Sequence, residues 1–418
     1  MGETDPTPQQ RRNYYFIIIS VISMQITAST IYMVFPLFFA SVGLDKAESG
    51  LLISVGTFAG ILSSIAAGVL SNRYGRKNIL FLGTLLYTVV YFIFAYSGHG
   101  FGVLMMLRFI EGIGFYIMPV MVTTMAADIF PTRERGKAMA LYSISGGVGS
   151  LIGPLISPLL ITGNNYTFYF LFSGGFVAVS AIVMILFVRE TLPKEKRIVA
   201  DPNLKGFKID FPGFLRSVKG LGLVVGVFLV AVLIYRTGYT MIDPFFSLYL
   251  KEVIHVDLSL TSYIYAARAL CIIAFSPLAG MLIDRSGRKT ALLVGLSMSI
   301  VTLIGYTVSG GFLWMLILRS WDGITWAVML TAMNTLMADM LSPEMRGFGM
   351  GLQSSITQQS STIGSLFSGF LIDAYGYNFV FYLAAVFCVV ALALVKFRIP
   401  EPTKRMKNKS EAQELSTH

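Results

Sequence analysis

Seven charged residues sit inside long apolar runs of this chain: Arg108, Glu111, Arg236, Asp243, Arg268, Arg319 and Asp322. If those runs cross lipid, each charge near the bilayer centre costs roughly 2.5–3.5 kcal/mol, so exposing all seven would cost on the order of 20 kcal/mol. Folded proteins are stable by only about 5–15 kcal/mol. The seven must therefore pair internally or face a cavity. The chemistry open to them is ligand binding and proton exchange. A carboxylate that changes arginine partners between two conformations can load and unload a proton. Glu111, Asp243 and Asp322 are the only acids deep in such runs, and they are the candidates for that step, Asp243 and Glu111 ahead of Asp322.

Spacing suggests how the charges meet. Arg108 and Glu111 are three apart, as are Arg319 and Asp322, so each pair can close on one helix face. Simple self-neutralisation competes with a functional role for both pairs. Arg236, Tyr239 and Asp243 share one helical stripe, with the two charges too far apart to touch. Arg268 has no acid near it in its own run. Tyr32, Arg108, Arg236, Tyr239, Arg268, Arg319 and Gln358 are the expected lining of a substrate cavity. Gln358 belongs to QSSITQQSST (353–362), a stretch too polar to be bathed in lipid. Aromatics such as Phe115, Tyr235, Trp321 and Trp326 suit a lipophilic or cationic guest, although core packing also explains them.

The elements that must position these residues follow from composition. The chain has 418 residues, 55% hydrophobic and 13% charged, against roughly 25% charged in a soluble domain. This is an integral membrane protein, long enough for roughly a dozen helices of about 20 apolar residues each. Short alternating strands are absent, which excludes a porin-like barrel. Apolar runs lie near 14–40, 50–71, 78–97, 101–126, 137–160 and 166–188, then near 221–248, 259–283, 290–308, 312–337, 347–371 and 377–396. The expected fold is all-α, twelve transmembrane helices in two parallel six-helix bundles. The bundles are placed at 1–188 and 221–396, with a linker at 189–220 and a tail at 397–418. Phe207, Ile209, Phe211 and Phe214 in the linker suit a short helix on the membrane surface. The first run is too long for a cleavable signal peptide.

Of 32 Lys and Arg residues, 26 fall in the tails and alternate loops, and only Lys46 and Lys251 fall in the opposite loops. That bias predicts cytoplasmic termini. The net charge of +10 is thus a topology signal rather than a nucleic-acid footprint. Cys271 and Cys388 lie in apolar runs and are read as small core residues. The two sets of runs are also copies. LRFIEG (107–112) answers LRSWDG (318–323), and Ala127-Asp128 and Arg135-Gly136 answer Ala338-Asp339 and Arg346-Gly347, all at an offset of 211. GVLSNRYGRKNIL (68–80) answers GMLIDRSGRKTAL (280–292) at 212. Several motifs at nearly one offset mark an internal repeat, and two parallel repeats of six spans are a known transporter plan.

These last phrases resemble the G-x-x-x-D-x-x-G-R-K signature of the major facilitator superfamily, and the resemblance covers almost the whole chain. LRFIEG is similar to the superfamily's fourth-span arginine motif. GSLIGP (149–154) resembles the antiporter motif of exporters, through Gly149, Gly153 and Pro154. The match is nearest to twelve-span drug:proton antiporters. The resemblance implies that the first, fourth, seventh and tenth spans line the cavity. It also implies a cytoplasmic latch between the halves, matched here by Gly68, Arg73, Gly75, Arg76 and Asp128, with Asp284 and Arg288 in the second copy. Position 72 departs from the pattern: Asn72 stands where the family usually has Asp. Enforcing topology alone is the competing role of the loop cations.

The expected function is secondary active transport by alternating access, as proton-coupled export of small organic, lipophilic or drug-like compounds across the plasma membrane. A proton-coupled importer of an organic anion or sugar is the alternative, favoured by four intramembrane arginines against three acids. Expected partners are the substrate, protons and the bilayer, with a monomer as the working unit and no nucleic acid. No G-x-x-x-x-G-K-[ST] loop exists to bind ATP. His99, His255 and His418 lack metal spacing, so no metal, cofactor or catalytic residue is expected.

Overall fold

The computed structural model describes residues 5–97, 100–193, 195, 197, 220–308 and 310–400. The expected surface helix around Phe207–Phe214, the tail beyond Pro400, His99 and His418 lie outside the described residues. Among those described, twelve long helical stretches follow one another. The first span is Pro8–Ala28 continued by Ile31–Ser41; the second to sixth are Lys46–Tyr74, Arg76–Tyr96, Phe101–Ile129, Thr132–Leu160 and Thr167–Phe187. The seventh is Gly222–Thr240 continued, through a 3₁₀ turn at Asp243–Phe245, by Phe246–Glu252. The eighth to twelfth are Leu258–Ser286, Arg288–Thr307, Gly311–Met340, Pro343–Tyr375 and Tyr377–Arg398.

Ten of the twelve are long and apolar enough to cross a membrane on composition alone, counting the bent first pair as one span. The tenth and eleventh, at 30 and 33 residues, have the length. What they lack in apolarity is the Arg319–Asp322 pair in one and the glutamine–serine stretch in the other. Arg319, Asp322, Gln353 and Ser360 are turned inward and buried, whereas Ser354, Ser355 and Gln359 are exposed. On the outside of the helices stand large apolar side chains such as Leu186, Val301, Val386 and Phe397, the surface that a hydrocarbon solvent demands.

The broken spans have local causes. In the first, Ser29 and Thr30 donate their hydroxyls back to the carbonyls of Ile26 and Thr27, both at 2.7 Å, and the axis bends by 42°. Such back-bonding bends helices. Pro36 has no N–H to offer the carbonyl of Tyr32. That carbonyl instead accepts from Ser247 Oγ at 3.5 Å and Tyr265 Oη at 3.4 Å. The seventh span breaks before Pro244, at the position the repeat assigns: Ser29 plus 211 is Thr240.

The described residues divide into two compact units. The first holds the first six spans together with Pro244–Val253 and Asp257–Ala266; the second holds the rest. Within the first unit, Phe246–Glu252 packs along Ile31–Ser41, and Lys46 Nζ pairs with Glu252 Oε2 at 3.3 Å. An aromatic cluster of Phe35, Phe38, Tyr91, Phe94 and Phe170 fills part of that unit's core. Phe228, Tyr235, Tyr306 and Met329 are among the side chains buried in the second.

Candidate functional site

The intramembrane charges of the second unit form one network across three spans. Asp322, on the tenth span and 1% exposed, is its centre. Its Oδ1 accepts from Tyr239 Oη at 2.5 Å, and its Oδ2 accepts from Arg268 Nε at 2.7 Å and Arg319 Nη1 at 3.2 Å. Arg319 Nη2 donates to Asp243 Oδ1 at 2.7 Å, and Arg268 Nη2 donates to Tyr239 Oη at 3.0 Å. Trp326, one turn from Asp322, offers its face to Arg236 at 4.5 Å and to Arg268 at 5.4 Å. Arginine over an indole face is a favourable cation–π geometry.

Two expectations need correction here. Asp243 does not continue the helical stripe of Arg236 and Tyr239, because the helix ends at Thr240 and Asp243 opens a 3₁₀ turn ahead of Pro244. It pairs with Arg319, 76 residues away. Arg319 therefore bridges two acids, and its pairing with Asp322 is more than a self-contained i,i+3 bridge. Exposure separates the members further: the side chains of Asp243 and Arg268 are each 19% exposed, those of Arg319 and Asp322 at most 2%. Asp243 and Arg268 are the more accessible members of the network.

In the first unit, Arg108 Nη1 donates to Glu111 Oε2 at 2.6 Å, and both side chains are buried. Arg108 Nε also donates to the Leu52 carbonyl at 3.3 Å, and its guanidinium lies 4.7 Å from the Phe35 ring. This bridge is local, the arrangement that self-neutralisation predicts. Gln358 is half-buried on the eleventh span, and its Oε1 is buried with no hydrogen-bond donor. Tyr32 is half-buried at the bend of the first span.

The loops of the basic face repeat their contacts in both halves. Arg76 Nε meets Asp128 Oδ2 at 3.3 Å, and Arg288 Nε meets Asp339 Oδ2 at 2.9 Å. Lys77 and Lys289 donate to the carbonyls of Ile185 and Lys396, and Arg135 and Arg346 to those of Ala127 and Ala338. Cations at these helix C-termini satisfy carbonyls that the helix leaves unpaired. The copies differ at position 72. Arg288 has a second carboxylate, Asp284, at 3.2 Å, whereas Arg76 takes the Ser71 hydroxyl at 2.6 Å and Asn72 only bonds back to the Gly68 carbonyl at 3.2 Å. Arg73 lies 5.2 Å from the Tyr74 ring.

Sequence reasoning missed Glu190. Its Oε1 accepts from the backbone N–H groups of Arg76, Thr191 and Leu192, and its Oε2 pairs with Arg197 at 3.3 Å. Gly75, at φ +97°, brings the loop so close to Glu190 that a Cβ there would collide with the carboxylate. The one available signal was an acid, RETLP, directly after the sixth span.

Gly149 and Gly153 abut the bend of the first span. A Cβ on Gly149 would lie 2.8–3.0 Å from the backbone of Gln25 and Ile26, and one on Gly153 would strike Ser29 and the Ile26 carbonyl. Ser29 Oγ donates to the Gly149 carbonyl at 2.8 Å, and Gln25 Nε2 donates to Ser145 Oγ at 2.5 Å. The second unit repeats the contact at the same offset of 211: Thr240 Oγ1 donates to the Ser360 carbonyl at 2.9 Å, and Gly364 lies against Thr237 and Thr240.

This duplicated architecture has a counterpart among known families, because the profile of the Major Facilitator Superfamily matches residues 17–234 and again 228–417. The chain belongs to that superfamily. It is a multi-pass membrane transporter of the superfamily, not an enzyme. It is 23% identical over 389 residues to Multidrug resistance protein 2 of Bacillus subtilis, covering 92% of this chain and 95% of the relative. To Quinolone resistance protein NorA of Staphylococcus aureus it is 25% identical over 348 residues, covering 82% and 85%. Among solved structures, a bacterial homologue of the human lysosomal transporter Spinster superposes with a TM-score of 0.76 at 16% identity, covering 93% of this chain and 96% of that one. The two matches of the superfamily profile correspond to the two copies whose contacts repeat here.

Proposed function

We propose that this superfamily member exports small organic, lipophilic or drug-like compounds in exchange for protons, by alternating access of two bundles at 1–188 and 221–396 joined by the 189–220 linker. The observation that carries this reading is the shared arginine. Arg319 holds Asp243 and Asp322 at once, so a movement of the seventh span against the tenth separates Asp243 from its cation without exposing Asp322. A carboxylate parted from its arginine in a poorly solvated site favours a proton, and one that regains it releases the proton. Conformation and protonation are thereby linked. The direction of transport rests on the curated relatives, two drug-resistance proteins, and on the GSLIGP motif. On this reading the basic face is cytoplasmic, with both termini, the membrane is the plasma membrane, and a monomer suffices.

Within the scheme, Asp243 carries the transported proton, Asp322 and Arg319 set its affinity, and Arg268, Tyr239, Arg236 and Gln358 meet the substrate. Arg108, closed on Glu111, holds the fourth span against the second through the Leu52 carbonyl. The test is uptake into proteoliposomes with and without an imposed pH gradient. Asp243→Asn is expected to bind substrate yet lose the response to the gradient; a full response would move coupling to Glu111 or Asp322.

The excess of three arginines over two aspartates in the second unit's network supports a second reading, import of an organic anion or sugar. Inverted membrane vesicles separate the two. Substrate accumulation under an inward-acidic gradient supports export, and its absence there, with uptake by right-side-out vesicles under an outward-acidic gradient, supports import.

A further inference from the structure

On the outer surface of the second unit, the ninth, tenth and twelfth spans leave a groove of about 450 Å³. The ninth span lines it from Thr290 through Val294 and Ser297 to Val301, the tenth contributes Trp321, and the twelfth contributes Lys396. From Thr290 to Val301 the helix rises about 16 Å, close to half of the roughly 30 Å hydrocarbon thickness of a bilayer. The groove thus begins at the basic face and reaches to about the bilayer midplane, where Trp321 stands. Its walls are apolar and open outward, with Val294, Val301 and Trp321 all more than 40% exposed. Its mouth is cationic: Lys396 is exposed there, and Arg398 follows two residues on.

The other copy of the repeat shows that neither feature is inherited from the fold. Lys77 caps the Ile185 carbonyl as Lys289 caps that of Lys396, which fixes the correspondence. By it, Lys396 and Arg398 stand where the sixth span has Ile185 and Phe187, and Ser297 stands where the third span has Leu85. One copy is apolar and bulky at these positions, and the other carries cations above a narrower side chain.

We propose that this groove binds a phospholipid with an anionic headgroup, from the leaflet that meets the basic face. One acyl chain lies along Val294, Ser297 and Val301 and ends at Trp321, and the headgroup phosphate sits at Lys396. The length of the groove matches one leaflet, and the charge at its mouth is complementary to the phosphate.

The test is the thermal stability of the full-length protein in neutral detergent, titrated with phosphatidylglycerol, phosphatidylcholine or soluble glycerol phosphate. Phosphatidylglycerol is expected to raise the melting temperature at lower concentration than phosphatidylcholine, and glycerol phosphate to have little effect. Lys396→Ile is expected to weaken the phosphatidylglycerol response about fivefold, the loss of one ammonium charge near a lipid surface. Ser297→Leu, which fills the groove as in the other copy, is expected to weaken the response to the chain. If Lys396→Ile does not fold, Lys396→Gln serves. Equal responses to the two lipids, or a wild-type phosphatidylglycerol titration in both variants, would overturn the proposal. A full response to glycerol phosphate alone would overturn the part played by the groove. No gradient or transport enters this measurement, so its failure leaves the transport reading standing.

Discussion

Replacing Asp322 by asparagine keeps the shape of the side chain and removes one charge from the most enclosed point of the network. Two arginines then lose their common acceptor. Arg319, 2% exposed, keeps Asp243 at 2.7 Å, but Arg268 loses the carboxylate that its Nε holds at 2.7 Å. Removing one partner of a buried ion pair costs about 3–5 kcal/mol, because the stranded charge stays out of water. Asp243→Asn differs in kind. It removes one hydrogen bond to a charged group, about 1.5–3 kcal/mol, at a side chain 19% exposed, and Arg319 retains Asp322. At about 2–4 °C per kcal/mol for a unit of this size, Asp322→Asn is expected to lower the melting temperature by on the order of 10 °C, and Asp243→Asn by about half as much. Thermal unfolding of both variants in the same detergent, beside gradient-driven uptake in proteoliposomes, checks this. Asp322→Asn should lose stability and transport together, whereas Asp243→Asn should mainly lose the gradient response. An Asp322→Asn protein that melts with wild type, or above Asp243→Asn, would refute the assignment of Asp322 as the structural centre.

Gly149→Leu and Gly153→Leu force side chains into the backbone of the first span at its bend, an overpacking cost of about 1–3 kcal/mol each; transport that becomes leaky or uncoupled, read as proton flux without substrate, is the expected result. Asn72→Asp supplies Arg76 with the second carboxylate that Arg288 already has in Asp284; spin-label distances across the basic face should shift toward the closed arrangement, and unchanged distances would leave the loop as a topology signal. Glu190→Gln weakens the charge-assisted bond to the Arg76 amide and the pairing with Arg197; faster hydrogen exchange at Arg76 and Thr191, with membrane insertion intact, is expected.

The sequence by itself determined what depends on neighbours along the chain. Hydropathy set the spans, because a helix in lipid must be apolar over its length. The offset of 211 set the two copies, and the three-residue spacing set the Arg108–Glu111 bridge, since residues one turn apart meet in any helix. The breaks in the first and seventh spans were not among these: both runs stand as continuous in the sequence, and the structure ends their helices at Ala28 and Thr240. Tertiary structure decided the partners across helices. Asp243 shares a stripe with Arg236 and Tyr239 only while the seventh span is taken as continuous; the helix ends at Thr240, and the carboxylate meets Arg319, 76 residues away. Arg268 finds Asp322 across 54 residues, and Glu190 finds the amide of Arg76 across 114. Periodicity carries no information about such pairs, because it describes one helix face at a time. Which face meets which is settled by side-chain volume at the seams, by the room Gly149, Gly153 and Gly364 leave for the bends of the first and seventh spans.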